Sequence, residues 1–237
     1  MFTKLLAATT IALSTVSFAH ADGYTDWSGL YLGPSLGIGS GSADILDIAP
    51  GAGPGNFNFI GGNTGIVSSH DMLGAMPGAF IGYRFQHNSY VFGIEASYHE
   101  GGTVSDTSPL PPALPAFTNQ LDMENLIQVG GQIGMARGKM LFYASGGYAR
   151  ADTKLTVRNG AALAASNGDI TSDGYYAGAG FDFNLDNNWS FGGEYNYVNF
   201  GDEIGIATVT AGGQLLDYRL NDFDVHVIKF KMTKRFN

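Results

Sequence analysis

Short turns and long polar segments alternate along this chain, and each stretch between them reads as a strand with two unlike faces. Tight turns fall at Gln86-His87-Asn88-Ser89, Arg137-Gly138-Lys139 and Asp186-Asn187-Asn188. Long polar segments run over about 41–70, 100–118, 158–172 and 201–218. Seven connections join eight strands, and an even count brings both ends of the chain to one side.

Side chains of a strand alternate between its faces, so period two is the test. In the first strand Leu30, Leu32, Leu36 and Ile38 oppose Tyr31, Gly33, Ser35, Gly37 and Gly39. Pro34 falls on the apolar face; it cannot donate to a ladder and implies a bulge or local break. In the second, Leu73, Ala75, Ile81, Tyr83 and Phe85 oppose Gly74, Gly78, Gly82 and Arg84. In the third, Tyr90, Phe92, Ile94 and Tyr98 oppose Val91, Gly93, Glu95 and Ser97. The fourth sets Leu121, Met123, Ile127, Val129, Ile133 and Met135 against Asp122, Glu124, Gln128, Gln132 and Gly134. The fifth, over about 140–156, places Phe142, Ala144 and Tyr148 opposite Tyr143, Ser145 and Gly147. The sixth and seventh turn Tyr175, Phe181, Phe183, Trp189, Phe191 and Tyr195 away from Asp182, Asn184, Glu194 and Asn196. The last sets His226, Ile228, Phe230, Met232 and Phe236 against Lys229, Lys231, Thr233 and Arg235, although Val225 and Val227 then fall on the polar face.

One face is apolar throughout, and the other carries Glu, Asp, Gln and Gly. A soluble sandwich rarely needs that arrangement. A barrel crossing a membrane does: lipid outside, a polar interior, short turns on one side and long loops on the other. The pattern therefore predicts an all-β fold, an eight-stranded antiparallel transmembrane β-barrel. Aromatics near the tight turns (Tyr83, Phe85, Tyr90, Phe92, Phe183, Trp189) would form an interfacial girdle.

Composition narrows the function classes. The 35 glycines among 237 residues are roughly twice the usual ~7% share, which suits bends and a crowded interior better than helices. No cysteine is present, which excludes disulfides and thiolate metal sites. The net charge of −9 opposes binding to a phosphate backbone, so no nucleic-acid partner is expected. Residues 1–21 read as a signal peptide: Lys4, an apolar stretch from Leu5 to Phe18, then Ala19-His20-Ala21 before the cleavage point. Residues 22–237 would be one barrel domain.

Asp26-Trp27-Ser28-Gly29-Leu30-Tyr31-Leu32-Gly33 resembles the opening strand of small alphaproteobacterial outer-membrane β-barrels, the porin-family or opacity-like proteins. The stretch from Gly174 to Phe183, continued by Leu185, Trp189, Ser190 and Glu194-Tyr195-Asn196-Tyr197, is similar to that family's sixth and seventh strands. Asp224-Val225-His226-Val227 through Arg235-Phe236 resembles its closing strand; Asn237 after Phe236, and Lys234 at a lipid-facing position, depart from the pattern. The resemblance implies the bacterial outer membrane as location and no single biochemical activity. It also implies outer-membrane lipid and lipopolysaccharide as surroundings, with periplasmic chaperones and barrel-insertion machinery acting during biogenesis.

The candidate site is a charge network in the lumen: Arg84, Glu95, Asp122, Glu124, Asp182, Glu194, Lys229, Lys231 and Arg235. Ionised groups in so narrow a space must be paired or hydrated. Such a network either plugs a structural, surface-displaying barrel or lines a narrow low-conductance pore. A surface adhesin or ligand-binding barrel is the third reading. Of the histidines, His87 sits in a turn, His70 and His99 at loop edges, and His226 toward lipid. His99 with Glu100 or Ser97 is the local candidate for an enzyme, but no nucleophile motif accompanies it. No enzyme, cofactor or metal is expected.

Overall fold

A computed structural model describes residues 25–47, 65–105, 108–109, 117–159, 162–201, 204–211 and 214–236. The signal segment 1–21, the loop residues Phe57 and Phe59, Pro111, Pro112 and Pro115, and Asn237 lie outside the described residues.

The strands are β1 (Gly29–Asp47), β2 (Gly65–His87), β3 (Tyr90–Ser105), β4 (Ser108–Pro109), β5 (Phe117–Arg137), β6 (Met140–Asn159), β7 (Ala162–Asp186), β8 (Trp189–Gly201), β9 (Ile204–Ala211) and β10 (Gln214–Phe236). Antiparallel pairing runs β1-β2-β3-β5-β6-β7-β8-β10, and β10 pairs back onto β1. The two-residue β4 pairs with β5, while β9 follows β8 and pairs with the upper part of β10. The result is the expected closed ring of eight antiparallel strands. Two-residue turns close one end, with left-handed backbone at Asn88, Gly138, Asn187 and Asn188, positions that Asn and Gly tolerate best.

Register fixes the ring's width. Cα partners lead from Leu30 through Tyr83, Ile94, Gly131, Gly146, Ala177, Tyr197 and His226 back to β1 at Ser40, a climb of ten residues per circuit. With eight strands, ~4.8 Å spacing and ~3.3 Å rise, this stagger gives a tilt of roughly 40° and a backbone radius of about 8 Å. Pro34 gives the local break that its position suggested, without a bulge. Pairing of β1 with β10 skips Gly33 and Pro34, but the register is the same on both sides of the gap.

The strands run far beyond the segments that read as long loops. Much of 41–70, 100–118, 158–172 and 201–218 is strand, because both faces still find a suitable environment there. Below a ring of Tyr98, Tyr148, Tyr175 and Tyr195, each about half exposed, the outer face is apolar and the inner face polar. Above that ring the faces exchange character. Ser42, Asp71, Asp169, Thr171 and Asp173 point outward, while Ala43, Ile45, Met72, Leu155, Ile170 and Phe223 are buried inside. Val225 and Val227 on β10 belong to this upper interior, which resolves the register of the last strand. A second aromatic ring near the tight turns includes Phe85, Tyr90, Phe183 and Trp189.

The fold generates a test of sides and depth. Ile94 on β3 is 68% exposed between the two aromatic rings. Ile94→Arg should destabilise the folded barrel by about 2–4 kcal/mol, and Ile127→Arg, beside Tyr98 at the upper ring, by no more than about 1 kcal/mol. Unfolding titrations in lipid vesicles check this; equal effects at the two positions would contradict the placement of the apolar band.

Candidate functional site: the barrel lumen

Inward-facing positions below the upper tyrosine ring build one continuous polar network. Lys231 on β10 holds Glu95 of β3 through both carboxylate oxygens, each at 2.7 Å, and Glu194 of β8 at 3.1 Å. Lys229 approaches Glu194 at 3.5 Å and donates to Gln128 at 3.2 Å. Across the lumen Arg84 of β2 donates to Asp182 of β7 at 2.7 Å and to Gln132 Oε1 through Nε and Nη2. Gln132 then donates to Glu95 at 2.9 Å, joining the two halves. The Tyr31 and Tyr143 hydroxyls donate to Glu95 and Glu194, and Ser145 adds a second bond to Glu194. Three cations meet three carboxylates, so the set is neutral, and all six are buried.

The glycines explain how these side chains fit. Several large inward residues face a glycine directly across the ladder: Tyr31 faces Gly82, Tyr143 faces Gly180, Asn196 faces Gly178 and Asp182 faces Gly192. A Cβ on Gly82 would lie 2.4 Å from the Tyr31 ring, and one on Gly180 2.7 Å from Tyr143. Each such glycine yields its volume to the neighbour that carries the chemistry.

Clusters of apolar side chains pack against both ends of the network. On the turn side Trp27, Val91, Ala136 and Leu141 pack beneath Tyr143. On the loop side Met76, Leu126, Ala149, Val198, Val227 and Val225 begin a thick buried layer. Strand β10 displays the sequence of layers alone: Arg235, Lys231 and Lys229, then Val227, Val225 and Phe223, all inward and buried.

Of the nine residues picked from the sequence, Arg84, Glu95, Asp182, Glu194, Lys229 and Lys231 come together. Arg235 is inward at the turn end, bonded to Asn184 Oδ1 at 2.5 Å and stacked 4.5 Å over the Trp27 ring. Asp122 and Glu124 are corrections. The β5–β6 register shifts between Met123 and Asn125, and the inserted residue exchanges the faces above it. Leu121 and Met123 turn inward, while Glu124 is exposed and approaches Lys154 at 3.6 Å. His70 and His99 are also corrected, since neither sits at an exposed loop edge. Both are buried in the lumen, with His99 Nε2 3.0 Å from Ser35 Oγ and His70 Nε2 3.1 Å from Ser68 Oγ. The signal for His99 was parity with Glu95 and Ser97. Lys234 snorkels to the turn end, donating to the Asn187 carbonyl at 2.7 Å beside Trp189.

The pattern of the outer membrane protein beta-barrel domain matches residues 7–236. The chain belongs to that family. It resides in the bacterial outer membrane, surrounded by lipid and lipopolysaccharide. Among solved structures, the outer membrane protein OprG of Pseudomonas aeruginosa matches 90% of this chain and 99% of its own, at 16% identity and TM-score 0.50. The outer membrane protease OmpT of Escherichia coli matches 88% and 97%, at 9% identity and TM-score 0.52. Neisserial surface protein A matches 88% and 98%, at 13% identity and TM-score 0.44. Identities this low speak to the barrel fold alone. A comparison with curated proteins gives no match.

Removing Lys231 takes the ion-pair partner from buried Glu95 and leaves Glu194 with Lys229 alone. Lys231→Met should destabilise this outer-membrane barrel by about 3–5 kcal/mol, the range for breaking a buried pair from one side. Adding Glu95→Gln should restore part of that loss, read by denaturant unfolding in vesicles. A double variant that merely sums its two single effects would show that Lys231 and Glu95 do not interact.

Proposed function

We propose that the protein is a closed, non-conducting barrel that serves envelope integrity and displays its loop end at the cell surface. The observation that carries this reading is the filled lumen. Conduction needs a continuous hydrated path, and eight strands enclose only enough room for their own side chains. Here the paired ionic network fills the middle of the lumen, and clusters of buried apolar side chains pack against it on the turn side and on the loop side. An enzymatic role finds no support in the lumen, where Ser35 and His99 are buried and hydrogen-bonded to each other.

Finer assignments follow from the sequence. The opening, sixth, seventh and closing strands support membership of the opacity-like, alphaproteobacterial group. Cleavage after Ala21 would release 22–237 to periplasmic chaperones and the insertion machinery.

Planar-bilayer recording of refolded protein tests the reading. The wild type and Glu194→Gln should both give no steady conductance steps, while Glu194→Gln unfolds at lower denaturant. Stable cation-selective channels in the wild type that lose selectivity in Glu194→Gln would establish a narrow pore instead.

A further inference from the structure

We propose that the outer wall formed by β8, β10 and β1 binds one outer-leaflet glycolipid, with its saccharide on a His226-centred cluster and one acyl chain in a notch below. The proposal rests on the outer-membrane location and on two independent features of this one wall.

The first feature is a polar constellation facing outward at the level of the upper tyrosine ring. Tyr195 Oη lies 2.7 Å from His226 Nδ1, and His226 Nε2 lies 3.4 Å from Asp224 Oδ2. The other Asp224 oxygen accepts a hydrogen bond from Ser42 at 2.8 Å, which fixes the carboxylate. Tyr195 and Tyr197 flank the imidazole, with ring centroids 6.0 and 5.1 Å away. His226 and Tyr195 remain about half exposed. Aromatic faces beside an oriented carboxylate suit a sugar ring, which presents C–H groups to the one and hydroxyls to the other. The carboxylate disfavours a bare phosphate at the same spot. The described outward cations of the upper wall, Arg150 and Lys154, belong to β6 on the far side of the ring.

The second feature is a notch of about 270 Å³ lower on the same strands, lined by Pro34, Leu36, Phe191, Phe230 and Met232, with Ser35 and Lys231 behind. It opens where pairing of β1 with β10 skips Gly33 and Pro34. The lining is apolar and faces hydrocarbon, so its occupant is an alkyl chain. From Asp224 and His226 the outward row of β10 passes Ile228 to Phe230 and Met232, so head and chain sites lie in line along one strand.

Native mass spectrometry of refolded protein supplied separately with lipopolysaccharide, phosphatidylglycerol or deacylated lipopolysaccharide tests this. One intact lipopolysaccharide should be retained, at least tenfold more tightly than either other probe. Asp224→Ala, His226→Gln and the notch-filling Met232→Trp should each weaken retention about tenfold. Tyr98→Phe, on β3, should leave it unchanged, and heat-dependent gel mobility shows that each variant is folded. Equal retention of phosphatidylglycerol would reduce the site to ordinary surrounding lipid and overturn the proposal. Equal retention of the deacylated form would remove the notch from it. Wild-type retention in Asp224→Ala and His226→Gln would remove the headgroup cluster.

Discussion

Each barrel strand passes through two solvents, and its side chains change sides where the solvent changes. Hydrocarbon surrounds the lower part, so Leu30, Ile94 and Phe230 face out and the polar groups turn inward. Water surrounds the upper part, where Asp71, Asp169 and Asp173 face out and Ile45, Ile170 and Phe223 turn inward. Backbone hydrogen bonding is indifferent to this exchange, because the ladder satisfies itself at every level. Tyrosine occupies the boundary because its ring tolerates lipid and its hydroxyl reaches water. The filled lumen follows from the same constraint: the radius set by eight strands and a ten-residue stagger is common to both solvents, and only the chemistry of the filling differs.

That radius also dictates how the charges are arranged. An ion moved into such an interior loses hydration worth several kcal/mol even after relaxation, so each must meet a partner. Neighbouring strands alone do not supply them. Glu95 pairs on the ladder with Gly82 and Gly130, and its cation arrives from β10. Asp182 faces Gly192 and Leu141 on its neighbours, and its cation arrives from β2. Glycine on adjacent strands and opposite charge on distant ones are two parts of one packing solution.

The membrane-spanning part of this architecture was legible in the sequence because its alternation is monotonous. Six of the nine suspected lumen charges meet one another since each holds strict parity with apolar neighbours. The extension above the membrane was misread as loop for the opposite reason. There the apolar residues move to the inner face, so a search for apolar-outward strands finds Val225 and Val227 out of place and stops. Asp122 and Glu124 failed through a different mechanism, a bulge that sequence alone does not mark. His99 was within reach of parity but was discounted because the strand was ended too early.

The distribution of cations bears on closure. Lys229, Lys231 and Arg235 all sit on β10, whereas Glu95 sits on β3, on the far side of the open sheet until the ring forms. An unclosed sheet from β1 to β8 therefore contains Glu95 and Glu194 without Lys231, and would have to keep both carboxylates hydrated or protonated. Docking of β10 onto β1 and β8 at once completes the ladder and neutralises the interior. The pairing of Lys231 with carboxylates on two different strands makes the charge balance a property of the closed ring and of no smaller piece of it. A network that stabilises only the complete barrel disfavours partly zipped intermediates, which gives a plugged lumen a reason to be ionic where leucines would fill the same volume.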